Sequence, residues 1–482
     1  MKGITAILLA SPLALATGSS AKSSPTSNSL SLPHFVELPI SRSMNQFVTE
    51  VGIGDPPQSI RMAIDTGSGF TWVKLSDTQE CWQCVEGETV GFCAKGEDMI
   101  HMFNANASSS YKPDAKKPFT VYRDKDFIQG YQSSESLNLN GATISKLQIS
   151  MVQNSTMDVD GFLSLGYPDQ SLGKGKKKGA KKDTLLDKMV KEGLIHHKAY
   201  SFYLNDDDAA TGNILLGGMD TDKFTGSMKE MPIIPHKDSR GHTSYQAPQV
   251  MMTSLELDGK RSISFYNAAI LDLSTRISYM PQDVFEPILE IIQRSGSNGT
   301  HLPISGSKEE GQIIKFVDCK LRNTLSDRTI TLGFGGTEGA KIEVPIRDLI
   351  RPAPGCNEET IESMQDENGP PLLDSHCPCY LAIDQSPKSH SNDKTEIMVL
   401  GDALLRHAYV VYDLQNNVIG MAQRNFNSDT SNIVEFGKKM KGFLGMQSIK
   451  ATASTASRSG GTEFDSAFWA LMVIFGWLVF FA

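Results

Sequence analysis

The sequence predicts a mostly β protein built from two related β lobes that face each other across a cleft. Strand-like runs alternate with turn residues throughout the body, and 41 Gly and 22 Pro supply those turns. Only Thr184–Glu192 and Pro281–Gln293 have a clear helical pattern. A short motif centred on an aspartate occurs once in each half of the chain, which is the observation that predicts two lobes.

The composition excludes several classes of protein. Of the 482 residues, 39% are hydrophobic and 21% are charged, which is ordinary globular usage and argues against general disorder. The formal charge of −9 gives no basic face for a nucleic acid. Long apolar runs occur only at the two ends, so a polytopic membrane protein is excluded as well.

The first residues match a secretory signal peptide, predicted over residues 1–21. Lys2 is followed by an apolar run and then by small residues at Ala14–Ala16. A disordered start with a chance apolar run is the alternative. Residues 22–46 are predicted to be a short leader or pro-segment. It holds few basic residues, so we expect weak or no inhibition by pairing with acidic groups.

The body is predicted to divide into an N-terminal β lobe over residues 47–226 and a C-terminal β lobe over residues 227–427. The first lobe contains a basic, glycine-rich stretch at residues 173–182. It lacks the residue order of a phosphate-binding P-loop. We therefore expect a solvated loop that is open to proteolysis.

The last residues match a glycolipid (GPI) anchor signal, predicted over residues 459–482. An uncharged apolar tail follows a polar spacer and small residues, after a linker at 428–458 that contains Ser and Thr. Ser459 is the predicted attachment residue and Ser454 the alternative. A single-pass tail anchor is the rival interpretation. Both place the body on the extracellular face of a plasma membrane or cell wall.

Secretion makes disulfides the expected state of the seven cysteines, and the odd count leaves one over. The C-x-x-C pair at Cys81 and Cys84 could suggest zinc, but no matching His or Cys pair lies nearby, so a disulfide is the better interpretation. Asn106, Asn154 and Asn298 occupy N-glycosylation sequons. Neither a metal site nor an organic cofactor site is visible in the sequence.

The repeated motif places an aspartate directly after an apolar strand, with small or hydroxyl residues behind it. Asp65 lies in the sequence MAIDTGS and Asp272 in AILDLST. Downstream of each, a second apolar strand runs into a glycine, at Gly166 and at Gly401. A unit used twice in this way predicts that each lobe offers one carboxylate to the cleft.

Two carboxylates at such a cleft can hydrolyse a peptide bond without a metal or a covalent intermediate. Carboxylates about 3 Å apart cannot both ionise, so they share one proton. The ionised group takes a proton from a water molecule, and the protonated group hydrogen-bonds the scissile carbonyl. Small residues after each aspartate bring backbone N–H groups to the carboxylate, and Gly67 permits the tight turn.

The surrounding motifs resemble those of the pepsin-like aspartic protease family, in particular its fungal GPI-anchored, yapsin-like members. The resemblance covers about Val36 to Asn425. It implies the bilobal pepsin-like aspartic protease fold, with the active-site cleft between two related β lobes. The similar stretches are Phe47–Gln58, Asp65–Val73, Phe119–Gly130, Asn213–Asp220, Leu400–Asp402, Tyr412–Asp413 and Asn416–Gly420.

The resemblance also implies roles for individual residues. Asp65 and Asp272 would be the catalytic dyad. Tyr122 would lie on a flap over the substrate, for which an ordinary edge hairpin is the alternative. Ser68 would hydrogen-bond Asp65, and Trp72 would support the flap tyrosine. The other supporting positions would be Thr66, Gly67 and Thr275, and Cys319 and Cys356 would form the disulfide of the second lobe.

The second motif departs from the pattern of the family. Leu273 stands where the family has a hydroxyl that bonds across to the other lobe, and its loss could cost about 1–3 kcal/mol. Ser274 replaces the turn glycine. Arg276 would stabilise an ionised Asp272 if it faced the cleft. These changes keep both carboxylates but could reduce catalytic efficiency.

The sequence therefore predicts a secreted, GPI-anchored aspartic endopeptidase with an acidic optimum. It would be a monomer and act on peptide or protein substrates. The first alternative is a catalytically weak or inactive protein of the same fold that binds peptide or glycan. The second is a passive wall protein, which should carry a longer Ser/Thr stalk than this chain has.

Overall fold

The computed structural model describes most of the body of the protein. The described residues are 33–43, 46–76, 102–123, 126–157, 159–168, 183–205, 211–237, 241–273, 275–295, 305–309, 312–352, 379–386 and 398–441. The compact unit that carries the elements below begins at His34. The predicted signal peptide, the basic loop, Ser454, Ser459 and the anchor signal lie outside the described residues.

Strands dominate the described residues, as predicted. The strands are β1 (Val36–Ser43), β2 (Gln46–Ile53), β3 (Gln58–Asp65), β4 (Trp72–Lys74), β5 (Lys112–Arg123), β6 (Asp126–Leu139), β7 (Ala142–Ser155), β8 (Gly161–Ser164), β9 (Ala199–Leu204), β10 (Thr211–Leu216), β11 (Gly218–Asp220), β12 (Phe224–Pro232), β13 (His236–Lys237), β14 (Thr243–Ser244), β15 (Gln249–Leu257), β16 (Arg261–Leu271), β17 (Ser278–Met280), β18 (Ser305–Glu309), β19 (Gln312–Val317), β20 (Thr329–Phe334), β21 (Lys341–Pro345), β22 (Ile350–Pro352), β23 (Cys379–Leu381), β24 (Ile383–Gln385), β25 (Met398–Leu400), β26 (Ala408–Asp413), β27 (Val418–Arg424) and β28 (Ile433–Glu435).

The helices within the described residues are short. They are α1 (Leu185–Lys191), α2 (Gln282–Arg294), α3 (Leu321–Thr324) and α4 (Asp402–Leu405), with 3-10 turns at Ala105–Ala107, Thr221–Lys223 and Ile346–Leu349. Both predicted helices are confirmed, as α1 and α2. Thr184 and Asp187 form a reciprocal capping box at the start of α1.

The strands form two large sheets and three small ones. The larger sheet has the order β12-β27-β26-β9-β10-β1-β2-β3-β8-β4-β7-β6-β5, and the second has the order β21-β20-β15-β16-β25-β17-β24. A four-stranded sheet, β18-β19-β23-β22, and the pairs β11-β28 and β13-β14 complete the described strands. The fold is therefore mostly β, in agreement with the predicted bilobal pepsin-like class.

The same four-strand pattern surrounds each aspartate. β3 pairs in parallel with β8, β8 antiparallel with β4, and β4 in parallel with β7. In the second sheet, β16, β25, β17 and β24 repeat this sequence of parallel, antiparallel and parallel pairs. The twice-used sequence unit thus corresponds to one local topology that is used twice.

The larger sheet is not confined to the first half of the chain. β26 lies between β9 and β27, and all residues of β9 and β26 are buried. Strands that are buried on both faces read as continuous apolar runs, as these two do. Strands from the last part of the described residues, β26 and β27, therefore belong to the same sheet and core as the early strands.

The body starts earlier than the sequence analysis placed it. β1 pairs with β10 along six residues and with β2 at its end, so it is an interior strand of the larger sheet. The predicted leader segment of residues 22–46 therefore includes part of the fold. Alternating burial of Val36, Leu38 and Ile40 anchors this strand in the core.

The predicted pairing of Cys319 with Cys356 is wrong. The structure joins Cys319 to Cys379 across a Cα separation of 5.2 Å. The reason is the register of β19 and β23, in which Val317 lies opposite Cys379 and brings this cysteine beside Cys319. Cys356 lies outside the described residues.

No helix in the described part of the chain combines the length and the apolar character needed to cross a bilayer. The apolar run at residues 467–482 falls outside that part.

Candidate active site

Asp65 ends β3, and its carboxylate accepts from three donors in the turn that follows and from one on β8. The backbone N–H groups of Gly67 and Ser68 donate to Oδ1 at 2.8 and 3.0 Å. The Ser68 hydroxyl donates to Oδ2, as the resemblance implied, and the Ser164 hydroxyl donates to the same oxygen at 2.9 Å. These donors fix the orientation of the carboxylate.

A glycine allows the strand β8 to reach this turn. The N–H of Gly166 donates to the Ser68 carbonyl at 2.7 Å. A Cβ atom at Gly166 would lie 2.7–2.8 Å from the backbone of Ser68, closer than real Cβ contacts allow. The glycine that the sequence analysis singled out therefore serves the close approach of two backbones.

Asp272 directly follows β16 and is only 7% exposed. Its Oδ2 accepts from the Thr275 hydroxyl at 2.7 Å, and its backbone N–H donates to Leu400 at 3.0 Å. A Cβ at Gly401 would lie 2.2 Å from the carbonyl oxygen of Thr275. The two turns therefore share one feature, a hydroxyl three positions after the aspartate that donates to its Oδ2.

The two turns meet through one backbone carbonyl. Thr66, next to Asp65, donates from its hydroxyl to the carbonyl of Leu271, which precedes Asp272, at 3.4 Å. The Tyr412 hydroxyl donates to the same oxygen, also at 3.4 Å. The structure therefore brings the two predicted motifs together at the residues that flank the aspartates.

Two fully buried tyrosines lie near the two carboxylates. Tyr200 of β9 and Tyr412 of β26 stack with ring centroids 4.8 Å apart. Burial raises the pKa of Tyr412, and the charge of Asp272 raises it further. Burial likewise raises the pKa of Tyr200, with additional effects of Tyr412 and Asp65. Both hydroxyls therefore stay neutral across the acidic and neutral pH range.

The residues that depart from the family pattern are only partly described. Leu273 is 2% exposed and packs in the main hydrophobic core. Arg276 is buried, and this burial lowers its pKa. Of its charged or polar neighbours, Tyr380 raises this pKa and Arg351 lowers it, both less strongly than burial does. Ser274 lies outside the described residues.

An ion pair lies beside the second aspartate turn. Arg42 of β1 contacts the carboxylate of Asp402, and the N–H of Asp402 donates to the Thr275 carbonyl at 2.9 Å. Burial lowers the pKa of Arg42 well below its usual value, as do the nearby Arg276 and Arg406. Arg42, one of the few basic residues of the predicted leader segment, thus belongs to the body of the protein.

The predicted flap region forms a hairpin. β5 and β6 pair with Tyr122 opposite Phe127, and the tip at residues 124–125 lies outside the described residues. The side chain of Tyr122 lies outside them too. Trp72 is buried in β4 and makes an edge contact with Phe162 at 5.5 Å. Phe119 and Val121 of the hairpin pack against the cluster that contains Trp72.

Two of the three sequons fall among the described residues. Asn106 is exposed in a 3-10 turn. Asn154 of β7 is half-buried, and its amide donates to Gln129 at 3.0 Å. Asn298 lies outside the described residues, and glycosylation at all three stays a prediction.

The sequence analysis missed Ser164, Tyr200 and Tyr412. Ser164 could have been found, because it lies in the strand that runs into Gly166 and pairs directly with Asp65. The tyrosines lie far from the aspartate motifs in the sequence, and no local pattern links them to the aspartates.

Comparison with known proteins gives a consistent result. The family model of the eukaryotic aspartyl proteases matches residues 46–424. The chain is 27% identical to Probable aspartic-type endopeptidase opsB of Aspergillus fumigatus, over 81% of this chain and 71% of that protein. It is also 27% identical to Candidapepsin-3 of Candida albicans, over 80% of this chain and 81% of that protein. Secreted aspartic protease 1 of Candida albicans is 27% identical over 83% of this chain and 86% of its own length.

Proposed function

The chain belongs to the eukaryotic aspartyl protease family, and we propose that it hydrolyses peptide bonds with Asp65 and Asp272 as its catalytic pair. The members of this family are aspartic-type endopeptidases. One observation carries the assignment. Asp65 ends, and Asp272 directly follows, the first strand of the same four-strand pattern, and the Thr66–Leu271 hydrogen bond joins the two turns.

The proposed reaction uses one shared proton and one water molecule. The ionised carboxylate removes a proton from the water, whose oxygen attacks the peptide carbonyl carbon. The protonated carboxylate donates to the carbonyl oxygen. When the tetrahedral intermediate breaks down, the C–N bond is cleaved and the amine leaves with a proton. Sharing one proton requires an acidic to mildly acidic medium, which is the basis for the expected acidic optimum.

The surrounding residues have positioning roles in this proposal. Ser68 and Ser164 hold the carboxylate of Asp65, and Thr275 holds that of Asp272. Thr66 and Tyr412 together fix the carbonyl of Leu271 and so the start of the second turn. Gly67 supplies one of the two backbone donors to Asp65.

The test is hydrolysis of a denatured general protein substrate by the full chain, from about pH 3 to about pH 7. Asp65→Asn and Asp272→Asn should each abolish the activity, and pepstatin should inhibit the unchanged protein. Asp283→Asn, an exposed position on α2, is the matched control and should keep full activity. Equal activity of the folded Asp65→Asn variant would refute the proposed pair.

A catalytically weak or inactive member of the family is the second candidate. It is favoured by Leu273, which is buried in the core at the position where the family has a hydroxyl. The double substitution Leu273→Thr with Ser274→Gly rebuilds the pattern of the family. If the unchanged protein is inactive and the rebuilt one active, the natural role would be binding of peptide or glycan.

We further propose that the protein is a secreted monomer held at the cell surface by a GPI anchor attached at Ser459. Relatives named as secreted aspartic proteases support the secretory route. Treatment of intact cells with a phosphatidylinositol-specific phospholipase should release the protein. Retention on the cells after that treatment would favour the single-pass tail anchor.

A further inference from the structure

Three side chains with metal-binding atoms meet outside the candidate active site. His34 precedes β1, His196 lies between α1 and β9, and Glu435 ends β28. One potential ligand atom of each lies within 4.8 Å of the others. His34 and Glu435 are separated by 401 positions, so no sequence spacing could have indicated this cluster.

The backbone holds the cluster in place. The N–H of His34 donates to Oε1 of Glu435 at 3.1 Å, which leaves Oε2 at 3.7 Å from Nδ1 of His34. Gly218 pairs with Glu435 between β11 and β28, and the next residue, Phe436, donates to Gly217 at 2.8 Å. The segments that carry His34 and Glu435 are thus fixed against each other before any ligand binds.

We propose that His34, His196 and Glu435 bind one divalent transition-metal ion, for which zinc is the best chemical match. Two imidazole nitrogens and one carboxylate oxygen are a common set of zinc ligands. Zinc bonds of about 2.0–2.2 Å in tetrahedral geometry place ligand atoms about 3.4 Å apart, so ligand atoms that now lie within 4.8 Å of one another must move closer together. The side chains of His34 and Glu435 are 30% and 39% exposed, which leaves room for water as a fourth ligand.

Metal binding requires one change in the cluster. The rings of His34 and His196 are stacked, with centroids 3.7 Å apart and an interplanar angle of 24°. Coordination needs both ring edges to point at the ion, so one ring must rotate out of the stack. The rotation is about a broad sp3–sp2 torsion and costs little.

A nearby positive charge opposes the ion. Lys438 follows Glu435 by three positions, and its positive charge would repel a cation held by that carboxylate. Removing the lysine charge should therefore tighten metal binding at this site. This expectation separates the proposed site from a metal bound elsewhere on the protein.

Bound metal would link the start of the body to its end. Because an assembled site exists only in the folded chain, the ion stabilises the folded state as its concentration rises above its dissociation constant. The proposed consequence is stabilisation of the folded chain, which goes beyond the proposed peptide hydrolysis.

The test is a titration of the full, metal-free chain with Zn²⁺ alone near pH 7, followed by calorimetry and by thermal unfolding. We expect one ion per chain and a rise in Tm with zinc concentration. Removing a residue that hydrogen-bonds to a metal ligand typically lowers the metal affinity by about 10–100-fold. Loss of a ligand in His196→Ala or Glu435→Gln should therefore weaken binding by about 100-fold or more. Glu435→Gln keeps an acceptor for the N–H of His34, which protects the fold.

Two further variants complete the design. His236→Ala, a histidine of β13 outside the cluster, should bind zinc as the unchanged protein does, and Lys438→Gln should bind it more tightly. No zinc binding by the unchanged protein would overturn the proposal. Unchanged binding in both His196→Ala and Glu435→Gln would overturn it too. Loss of binding in His236→Ala would have the same consequence.

Discussion

The stacked tyrosines near the aspartates offer a matched pair of substitutions. Tyr412 donates to the Leu271 carbonyl, whereas the Tyr200 hydroxyl has no hydrogen-bond partner among the described residues. Both side chains are fully buried and stacked. Replacing either with phenylalanine keeps the ring and the stack, so each variant isolates one hydroxyl group.

The two substitutions should change the free energy of unfolding in opposite directions. An ordinary hydrogen bond contributes about 0.5–1.5 kcal/mol, and the 3.4 Å separation places the bond of Tyr412 near the lower limit. Thr66 still donates to Leu271 after Tyr412→Phe, so the carbonyl stays paired. We expect a loss of about 0.5–1 kcal/mol. Tyr200→Phe removes a buried hydroxyl without a protein partner and should be neutral or stabilise by about 1 kcal/mol.

Urea denaturation at constant temperature measures the free energy of unfolding of both variants. Equal m-values would show that their unfolded states are comparable. The raised pKa of both tyrosines keeps them protonated in the folded state, and unfolded tyrosine ionises near pH 10. The difference between the variants should therefore not depend on pH below about pH 9. A similar loss of stability in Tyr200→Phe would show that its hydroxyl is paired, by a buried water for example, and would refute the reasoning.

The same pair tests the positioning role of Tyr412. If the full energy of its bond is expressed in the transition state, kcat should fall between about twofold and about fivefold in Tyr412→Phe. KM should stay unchanged, because the hydroxyl contacts the start of the second turn and not the substrate. Tyr200→Phe should keep kcat. A change confined to KM in Tyr412→Phe would contradict the role.

Three further predictions follow from other parts of the structure. Replacing Cys319 and Cys379 together with alanine opens a loop of 60 residues and should lower the free energy of unfolding by about 2–4 kcal/mol. Cys356→Ala should leave the disulfide-linked Cys319–Cys379 peptide intact in a non-reduced digest. Arg328 holds the pKa of Asp258 below its usual 3.8, chiefly through a side-chain hydrogen bond. The pair therefore stabilises the folded state above about pH 4, and this stabilisation is lost as the pH falls through the depressed pKa. The stability difference between the unchanged protein and Arg328→Met, at most about 1 kcal/mol by urea denaturation at pH 7, should therefore shrink as the pH falls through the depressed pKa of Asp258. Thr184→Ala should cost about 1 kcal/mol by the same method, because it removes the N-cap of α1 and one half of the capping box.

The sequence predicted the features whose information is local. Alternation and turn residues indicated the β class, and Thr184 with its apolar neighbours indicated α1. The resemblance implied that Ser68 hydrogen-bonds Asp65 and that Thr275 supports the second motif, and both hydroxyls donate to an aspartate only three positions away. Patterns of this kind depend on one segment of chain and its own geometry.

The features that the sequence did not predict depend on register between distant segments. Ser164 reaches Asp65 from 99 positions away because β3 and β8 pair in parallel. The disulfide of Cys319 is decided by the register of β19 and β23, and several cysteines were available as partners. Leu273 was read as the loss of a hydroxyl, and only the packing shows that its side chain fills the core.

The hydrogen bond between His34 and Glu435 has a consequence for the topology of the chain as a whole. The backbone enters the described body and approaches the end of that body at the same place, so the path of the described residues nearly closes on itself. A short peptide could join these two positions, and a circularly permuted body with new ends at an exposed turn would keep the strand pairings of the described residues. Fusion partners attached at these two positions would, by the same geometry, be neighbours.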